Sequence, residues 1–474
     1  MSSRQRRFCI VATILFGVAS LHAQQPASPR AAQAPGATKR IAIVGGMLLT
    51  GYETPPIHNA AVLVEGNRIV EIGRAGEMTI PKDATVIDAG GGTIMPGLID
   101  AHAHLMDIGH GNYDRWFPWS EKYGHERIME VGARQWINAG ITSIIDLGGQ
   151  LKESISVRDR INRGEIPGPR AFVSGPWITR SLGRYPPQVP QILVDTPEEA
   201  AAAVDKLAQA GVDVIKAYVN LRPEHYKAIA EAAHRNKIRV HAHVYSPTDV
   251  RNALEAGVDV LTHVGSAGTP PYDPQLVQDI VVAGRPVVPT AMHRVWLYPA
   301  TLAFPERLND PRIKEEFPPD LYKEVIDSFK NFEMLPYFQT TDRQMFFGDA
   351  SLKQWITSGA VIGMGTDSGT PLNFNWDGMW REMKVFVDMG MPPIKVISAA
   401  TRINARLMGK GNELGTIEPG KLADIIVVQG DPLYDMVAAL SQVRVVIKDG
   451  VVYKGGPTPN PMMTRKPATT TSQR

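Results

Sequence analysis

The chain has 474 residues, with 43% hydrophobic and 21% charged side chains and a formal net charge of +2. Those values exclude a largely disordered chain and give no reason to expect nucleic-acid binding. A single cysteine, Cys9, excludes an internal disulfide framework and a cysteine-based zinc site.

Residues 1–23 open with the basic stretch Arg4-Gln-Arg6-Arg7, continue with an apolar run from Phe8 to Leu21 and end in small residues at Ala23. This order predicts a cleaved signal peptide, and hence an exported protein, periplasmic or secreted. The apolar run falls short of the roughly 20 residues that a spanning helix needs, so no stable membrane insertion is expected after cleavage. Removing Arg4, Arg6 and Arg7 leaves 47 basic residues against 48 acidic ones, and Cys9 goes with them. Residues 24–39, rich in Ala, Pro and Gln, read as a linker, and the tail 456–474, rich in Pro and Thr, is expected to be disordered.

Short β-like runs separated by glycine turns fill residues 40–95, and the same character returns over 411–455. The two ends are expected to build one small β-sandwich domain. Between them, residues 96–410 alternate apolar runs with helical stretches. Candidate strands are Thr93–His104, Thr142–Asp146, Ala171–Ser174, Val212–Tyr218, Arg239–Val244, Val260–His263, Pro286–Thr290 and Val361–Asp367. Helices are expected at Pro197–Ala210, Pro223–Asn236 and Thr248–Ala256. Eight strands with crossover helices predict an α/β fold, a (β/α)8 barrel. A doubly wound open sheet is the alternative, but no Gly-rich phosphate loop supports it.

Asp100-Ala-His102-Ala-His104 ends the first of these strands. Residues two apart on a strand share a face, so both imidazoles project to one point, at the barrel's active face. His241-Ala-His243 ends a second strand, His263 a third and Asp367 the last. Five of the 11 histidines that remain after cleavage thus sit at strand ends. Imidazole suits zinc and neighbouring metals. Lys216 lies on an apolar strand, where burial disfavours its charge. A neutral amine there can add carbon dioxide, giving a carbamate able to bridge two cations.

The order His-x-His, Lys, His, His, Asp resembles the amidohydrolase superfamily. Flanking segments sharpen the likeness: Met95-Pro-Gly-Leu-Ile-Asp-Ala-His102, Gly140-Ile-Thr-Ser-Ile-Ile-Asp-Leu-Gly-Gly149, Gly168-Pro-Arg170, Ala399-Ala-Thr-Arg-Ile-Asn-Ala405 and Gly415-Thr-Ile-Glu-Pro-Gly-Lys-Leu-Ala-Asp424. The chain is similar to the branch holding imidazolonepropionase-like proteins and prolidase-type dipeptidases, over residues 40 to about 455. The resemblance implies two divalent metal ions, zinc being the expected metal. His102, His104 and Asp367 would hold one, His243 and His263 the other, with carbamylated Lys216 between them. His241 would face inward one layer deeper. It also implies hydrolysis of C–N bonds in amides or dipeptides by a metal-bridging hydroxide. Asp367 would move the proton, and Tyr218 would face the developing oxyanion. A lactonase or phosphotriesterase-like activity on the same site is one alternative, a non-catalytic exported metal-binding protein another. The family's Gly-Gly-His segment after the Gly-Pro-Arg strand is replaced here by Trp177-Ile-Thr-Arg180-Ser-Leu-Gly-Arg184-Tyr.

Residues 291–350 hold 11 of the 34 aromatics, among them Trp296, Tyr298, Phe304, Tyr337, Phe338, Phe346 and Phe347. They form either a lid over an apolar substrate or an excursion packed on the barrel or on a second copy in a homo-oligomer. Trp116, Phe117 and Trp119 offer a second aromatic wall. Arg180, Arg184, Arg294 and Arg343 are candidates for a substrate carboxylate. The expected partner is a small-molecule amide or dipeptide.

Overall fold

The computed structural model describes residues 39–181, 185–266, 268–292, 296–334, 338–339 and 341–456. The leader expected over 1–23, most of the linker and nearly all of the tail lie outside the described residues. Among the described residues, no helix is long and apolar enough to cross a membrane.

The chain has mixed α/β content. Its two ends meet in one eight-stranded sheet. Arg40–Leu48 pairs antiparallel with Ile57–Glu65, which pairs with Arg68–Arg74. The other edge of Arg40–Leu48 takes Thr85–Asp88 and Thr93–Pro96, both parallel to it. From the far end of the chain, Ile425–Val428 pairs antiparallel with Thr93–Pro96, followed by Val443–Lys448 and Val451–Lys454. Alternation gives each strand two faces. Ile41, Ile43, Val62 and Val64 pack with Ile425, Val427, Val445 and Ile447 in one apolar cluster. Ala42, Val44, Ala61 and Leu63 point the other way, onto Met78, Ile80 and Val86. Both faces are therefore buried, and the sheet's interior needs both chain ends.

The central strands are parallel. Leu98–Ala103, Ile141–Asp146 and Arg170–Val173 form one group. Trp177–Thr179, Val214–Ala217, Arg239–His243, Val260–Thr262 and Val287–Val288 belong to a second, whose outer edge is Gln191–Leu193. Asp213 N donates to Val173 O across the groups at 2.9 Å. On the other side, parallel bridges join Val287 to Ile362 and Ala103 to Ser368. Helices follow the strands. Pro197–Ala210 starts on a capping box in which Thr196 and Glu199 satisfy each other's backbone N–H, and it stops at Gly211 in the left-handed region. Pro223–Arg235 and Pro247–Glu255 likewise carry proline in the first turn, where a missing N–H costs nothing.

Two expected strands differ. The run Thr93–His104 breaks at Gly97, whose N–H goes to Asp424 O. Thr93–Pro96 serves the end-derived sheet and Leu98–Ala103 the parallel group. Val361–Asp367 is not a continuous strand, but backbone bonds tie it to both neighbours, Gly363 N to Val287 O on one side and Ala101 N to Met364 O and Asp367 N to His102 O on the other, and side chains add to them. Asp100 accepts from Thr366 N at 3.0 Å and from the Thr366 hydroxyl at 2.5 Å. Asn404 accepts from Met364 N and donates to the carbonyls of Ile99 and Met364. Gly365 lies so close to its neighbours that a Cβ there would sit 2.6 Å from a Val288 methyl and 2.7 Å from the His102 Cβ. The segment thus satisfies its polar groups without a regular strand.

The end-derived sheet is tied to the parallel strands by a buried ion cluster. Arg170, at the start of its strand, donates to Asp424 at 2.8 Å and to Asp449 at 2.6 Å, and Lys448 Nζ donates to Gly168 O at 2.8 Å. The Arg170 and Asp424 side chains are only 14% and 5% exposed. Removing one partner of such a pair strands a buried charge, at a cost of about 3 kcal/mol. Asp424→Ala should therefore lower stability by about that amount in urea unfolding. A loss under about 1 kcal/mol would mean that the pair contributes only as a surface pair does.

Candidate metal centre

The expected ligands come to one place because their strands are parallel and neighbouring. His102, His104, Lys216, Tyr218, His243, His263 and Asp367 all line one cavity that opens to solvent. The paired registers place Lys216 beside His241 and His243 beside Thr262, so successive strands deliver their last residues to one rim. His241 is buried beside Lys216 and does not line the cavity.

His104 Nε2 lies 3.0 Å from Asp367 Oδ1, and His102 Nε2 lies 3.3 Å from the same oxygen. His102, His263 and Asp367 present ligand atoms within 4.8 Å of one another. The His243 and His263 rings are 4.1 Å apart, and the His102 and His263 rings 4.4 Å. Lys216 Nζ is 3.3 Å from His102 Nε2 and 3.4 Å from the Thr262 hydroxyl. His263, Thr290 and Asp367 have φ of 67°, 49° and 55°. Three non-glycine residues in the left-handed region around one cavity is a concentration of backbone strain typical of a working site.

Burial shapes the protonation states. It drives Lys216 down to about 7, against a smaller opposing pull from Asp367. Burial, helped by the Lys216 charge, takes His102 well below the ordinary imidazole value and His241 down to about 3. Burial alone would lower His104 too, but the hydrogen bond and charge of Asp367 raise it. Farther out, burial raises Asp100 and Asp146 to about 7 and Glu382 to about 8.

Buried nitrogens of His102 and Lys216, both driven towards neutrality, therefore gather with His104 around one carboxylate. His102 Nδ1 and His104 Nδ1 are buried without a hydrogen bond. Four imidazoles, a lysine driven towards neutrality and a carboxylate form a donor set that divalent transition metals fit. His263 shows how the surroundings orient a ligand. The Thr290 hydroxyl donates to Pro289 O at 2.7 Å, so it accepts from His263 Nδ1, also at 2.7 Å. That fixes the proton on Nδ1 and leaves Nε2 as the ligand atom. Glu382 holds the next turn, accepting from Ala291 N at 3.0 Å and Met292 N at 2.6 Å.

Above the cluster the wall is aromatic. Tyr218 stacks on Trp177 at 4.3 Å, meets His243 edge-on at 4.6 Å and bonds the Tyr185 hydroxyl at 3.2 Å. Of the 291–350 segment, Tyr298 lines the cavity, with Phe338 packed on it at 4.9 Å. The helix Pro319–Ser328 from the same segment docks on the helix Tyr113–Tyr123: Arg115 pairs with Glu324 and Tyr123 with Asp320. Trp116 and Phe117 are buried there and do not line the cavity. Among the described residues, neither of the expected arginines, Arg180 and Arg343, lines the cavity, and Arg343 donates to Gly268 O. Arg184 and Arg294 lie outside the described residues.

The sequence did not single out Asp107, Tyr113, Thr290 or Glu382. Thr290 carried the same signal as His263 and Asp367, a polar residue at the end of an apolar strand. Asp107 stands one short step beyond His104. Glu382 gave no signal, because its role depends on which helix reaches which turn.

Residues 93–453 match the amidohydrolase family, whose fold is a TIM barrel. The chain is 25% identical to an ochratoxinase of Aspergillus niger, over 87% of this chain and 86% of that protein. It is 23% identical to an imidazolonepropionase of Thermoplasma acidophilum, over 78% and 82%. A Xaa-Pro dipeptidase with bound methionine in its active site superposes with a TM-score of 0.67 at 25% identity, over 88% of this chain and all of that one.

The Thr290 bond predicts a measurable second layer of control. Thr290→Val keeps the shape and removes the acceptor of the His263 Nδ1 proton. Affinity for a divalent ion, read by equilibrium dialysis, should fall about 10- to 100-fold. Unchanged affinity would mean that the hydroxyl does not orient His263.

Proposed function

Because the chain belongs to the amidohydrolase family, we propose that it hydrolyses C–N bonds in amides or dipeptides at a two-metal centre. The observation that carries this reading is the meeting of six ligand-type side chains at the ends of successive parallel strands. His102, His104 and Asp367 would hold one ion, His243 and His263 the other, and Lys216, carbamylated, would stand between them. When bound, the ions supply an acidified water and a polarised carbonyl. The dipeptidase and ochratoxinase likenesses support an amide-type substrate. Zinc suits the imidazole-rich set.

Asp367 accepts the proton of the attacking water at its carboxylate and returns it to the leaving nitrogen. Its neighbours His102 and His104 hold that carboxylate at the centre of the cluster. The Tyr218 phenol, beside His243, donates to the oxygen on which charge develops. Lys216 is suited to carbamylation because burial brings its amine into the neutral form near pH 7. The docked 291–350 segment, with Tyr298 at the cavity, keeps water from the reacting bond.

The two parallel groups and the 362–368 segment are read as one (β/α)8 barrel spanning 96–410, closed through Asp213 and through the bridges at Ile362 and Ser368. The sheet from 40–95 and 411–455 is read as a separate β-sandwich domain. The basic-then-apolar start of the chain supports export to the periplasm or beyond.

A panel of dipeptides and N-acyl amides, set beside lactones and phosphotriesters, tests the bond assignment. Amides should be the substrates turned over. Preference for a lactone or a phosphotriester would move the site to another bond, and no turnover with metal fully loaded would leave a metal-binding protein. Asp367→Asn, fully metal-loaded, should lose at least about 100-fold in kcat, since an amide lacks the basicity to take the proton. Near-normal turnover would place the proton transfer elsewhere. Lys216→Ala should lose activity and regain part of it with a short carboxylic acid; an active variant without the acid would contradict the carbamate.

A further inference from the structure

We propose that the cavity recognises a cationic ammonium group on its substrate, held by Asp107 and the aromatic rings beside it. The bond cleaved then lies next to a free amine, as at the N-terminus of a dipeptide. This rests on the amide-hydrolase reading given above and narrows its substrate class.

Asp107 lines the cavity, is 1% exposed, and its Oδ1 makes no hydrogen bond. A carboxylate oxygen is costly to bury unpaired, so a cavity that keeps one is built for a donor that arrives with the ligand. Among the described residues, His110 faces it, with Nε2 3.6 Å away, beyond hydrogen-bond range. His110 Nδ1 accepts from Asn112 N at 3.1 Å, so the neutral ring carries its proton on Nε2, facing Asp107. The ring is clamped by stacking on Trp116 at 4.9 Å. It orients the carboxylate without satisfying it. The backbone fixes the same residue. Asp107 N donates to His104 O at 3.2 Å. Gly369, at φ 94°, packs so closely that a Cβ on it would lie 2.7 Å from the Asp107 Cβ.

The rings form a continuous wall beside this carboxylate. Tyr113 is 5.4 Å from Tyr185, Tyr185 is 5.8 Å from Trp177, and Trp177 is 4.3 Å from Tyr218. Aromatic faces attract an ammonium, most strongly where water is excluded. Among the described residues no arginine lines the cavity, and its lysine, Lys216, belongs to the metal cluster. Outside that cluster, the described charge at the cavity is a carboxylate. Its chemistry selects a cation.

The test uses the metal-loaded enzyme and two paired probes. In calorimetry, 2-phenylethylammonium should bind at least about 10-fold tighter than the neutral 2-phenylethanol, the margin expected of a charge-assisted hydrogen bond. Asp107→Asn should erase that preference. Equal binding by the native enzyme, or a preference that survives in Asp107→Asn, would overturn the proposal. Should the variant fail to fold, the native pair still decides it. In turnover, a dipeptide with a free amine should exceed its N-acetylated form in kcat/KM by about 10-fold or more. Equal values would again overturn the proposal. Turnover of neither would end the amide-hydrolase reading, while the calorimetric pair would continue to decide whether Asp107 binds an ammonium.

Discussion

Asp367 reaches His102 and His104 because the 362–368 segment is bound, group by group, to the strand Leu98–Ala103. Asp100 takes the Thr366 amide and hydroxyl, and Asn404 takes Met364 and Ile99. Gly365 lets the two backbones close to a distance that no side chain would permit. The last strand position is thereby joined to the first by side chains in addition to backbone bonds, Ala101 N to Met364 O at 3.0 Å and Asp367 N to His102 O at 2.8 Å. Without that joint the one carboxylate of the cluster would leave its imidazoles, and the remaining nitrogens would have no negative charge among them. Asp100 itself is buried and pushed up to about 7, so this joint is a low-dielectric network whose members depend on one another.

The same burial that closes the joint prepares the chemistry. An exposed lysine is an ammonium; Lys216, enclosed among imidazoles, is driven down to about 7. An exposed imidazole is half-charged near neutrality; His102 is held neutral. Nitrogen lone pairs become available for metal because burial disfavours the protonated forms of Lys216 and His102, and the left-handed turns at His263, Thr290 and Asp367 shape the rim around them. Stability spent on strain and on buried charge at this rim is recovered by the apolar packing beneath it, where Ala101, Ile145, Val214, Val260 and Val288 fill the interior.

Much of this was legible in the sequence. A histidine, lysine or aspartate that ends an apolar strand carries its own address, since strand direction and the two-residue period set where its side chain goes. His102, His104, Lys216, His243, His263 and Asp367 stood out at strand ends, the family resemblance chose His243 over His241, and the six share one cavity. What was not legible depended on contacts far apart in the chain. The break at Gly97 follows from pairing with Ile425–Val428, more than 300 residues away. Glu382 matters because its helix passes the turn at Ala291. The long aromatic segment announced itself by composition, but only its docking on the helix Tyr113–Tyr123 shows which of its rings reaches the cavity. Of the four candidate arginines, Arg180 and Arg343 do not line the cavity, because charge in a sequence says nothing about direction; Arg184 and Arg294 lie outside the described residues.

In the proposed site Lys216, as a carbamate, would join two metal ions within this cluster. Crystals grown with zinc and bicarbonate, measured at the zinc absorption edge, test it directly. Two anomalous peaks are expected, one beside His102, His104 and Asp367 and one beside His243 and His263, with continuous density for a carboxylated Lys216 between them. A single peak, or two peaks flanking a bare lysine amine, would contradict it.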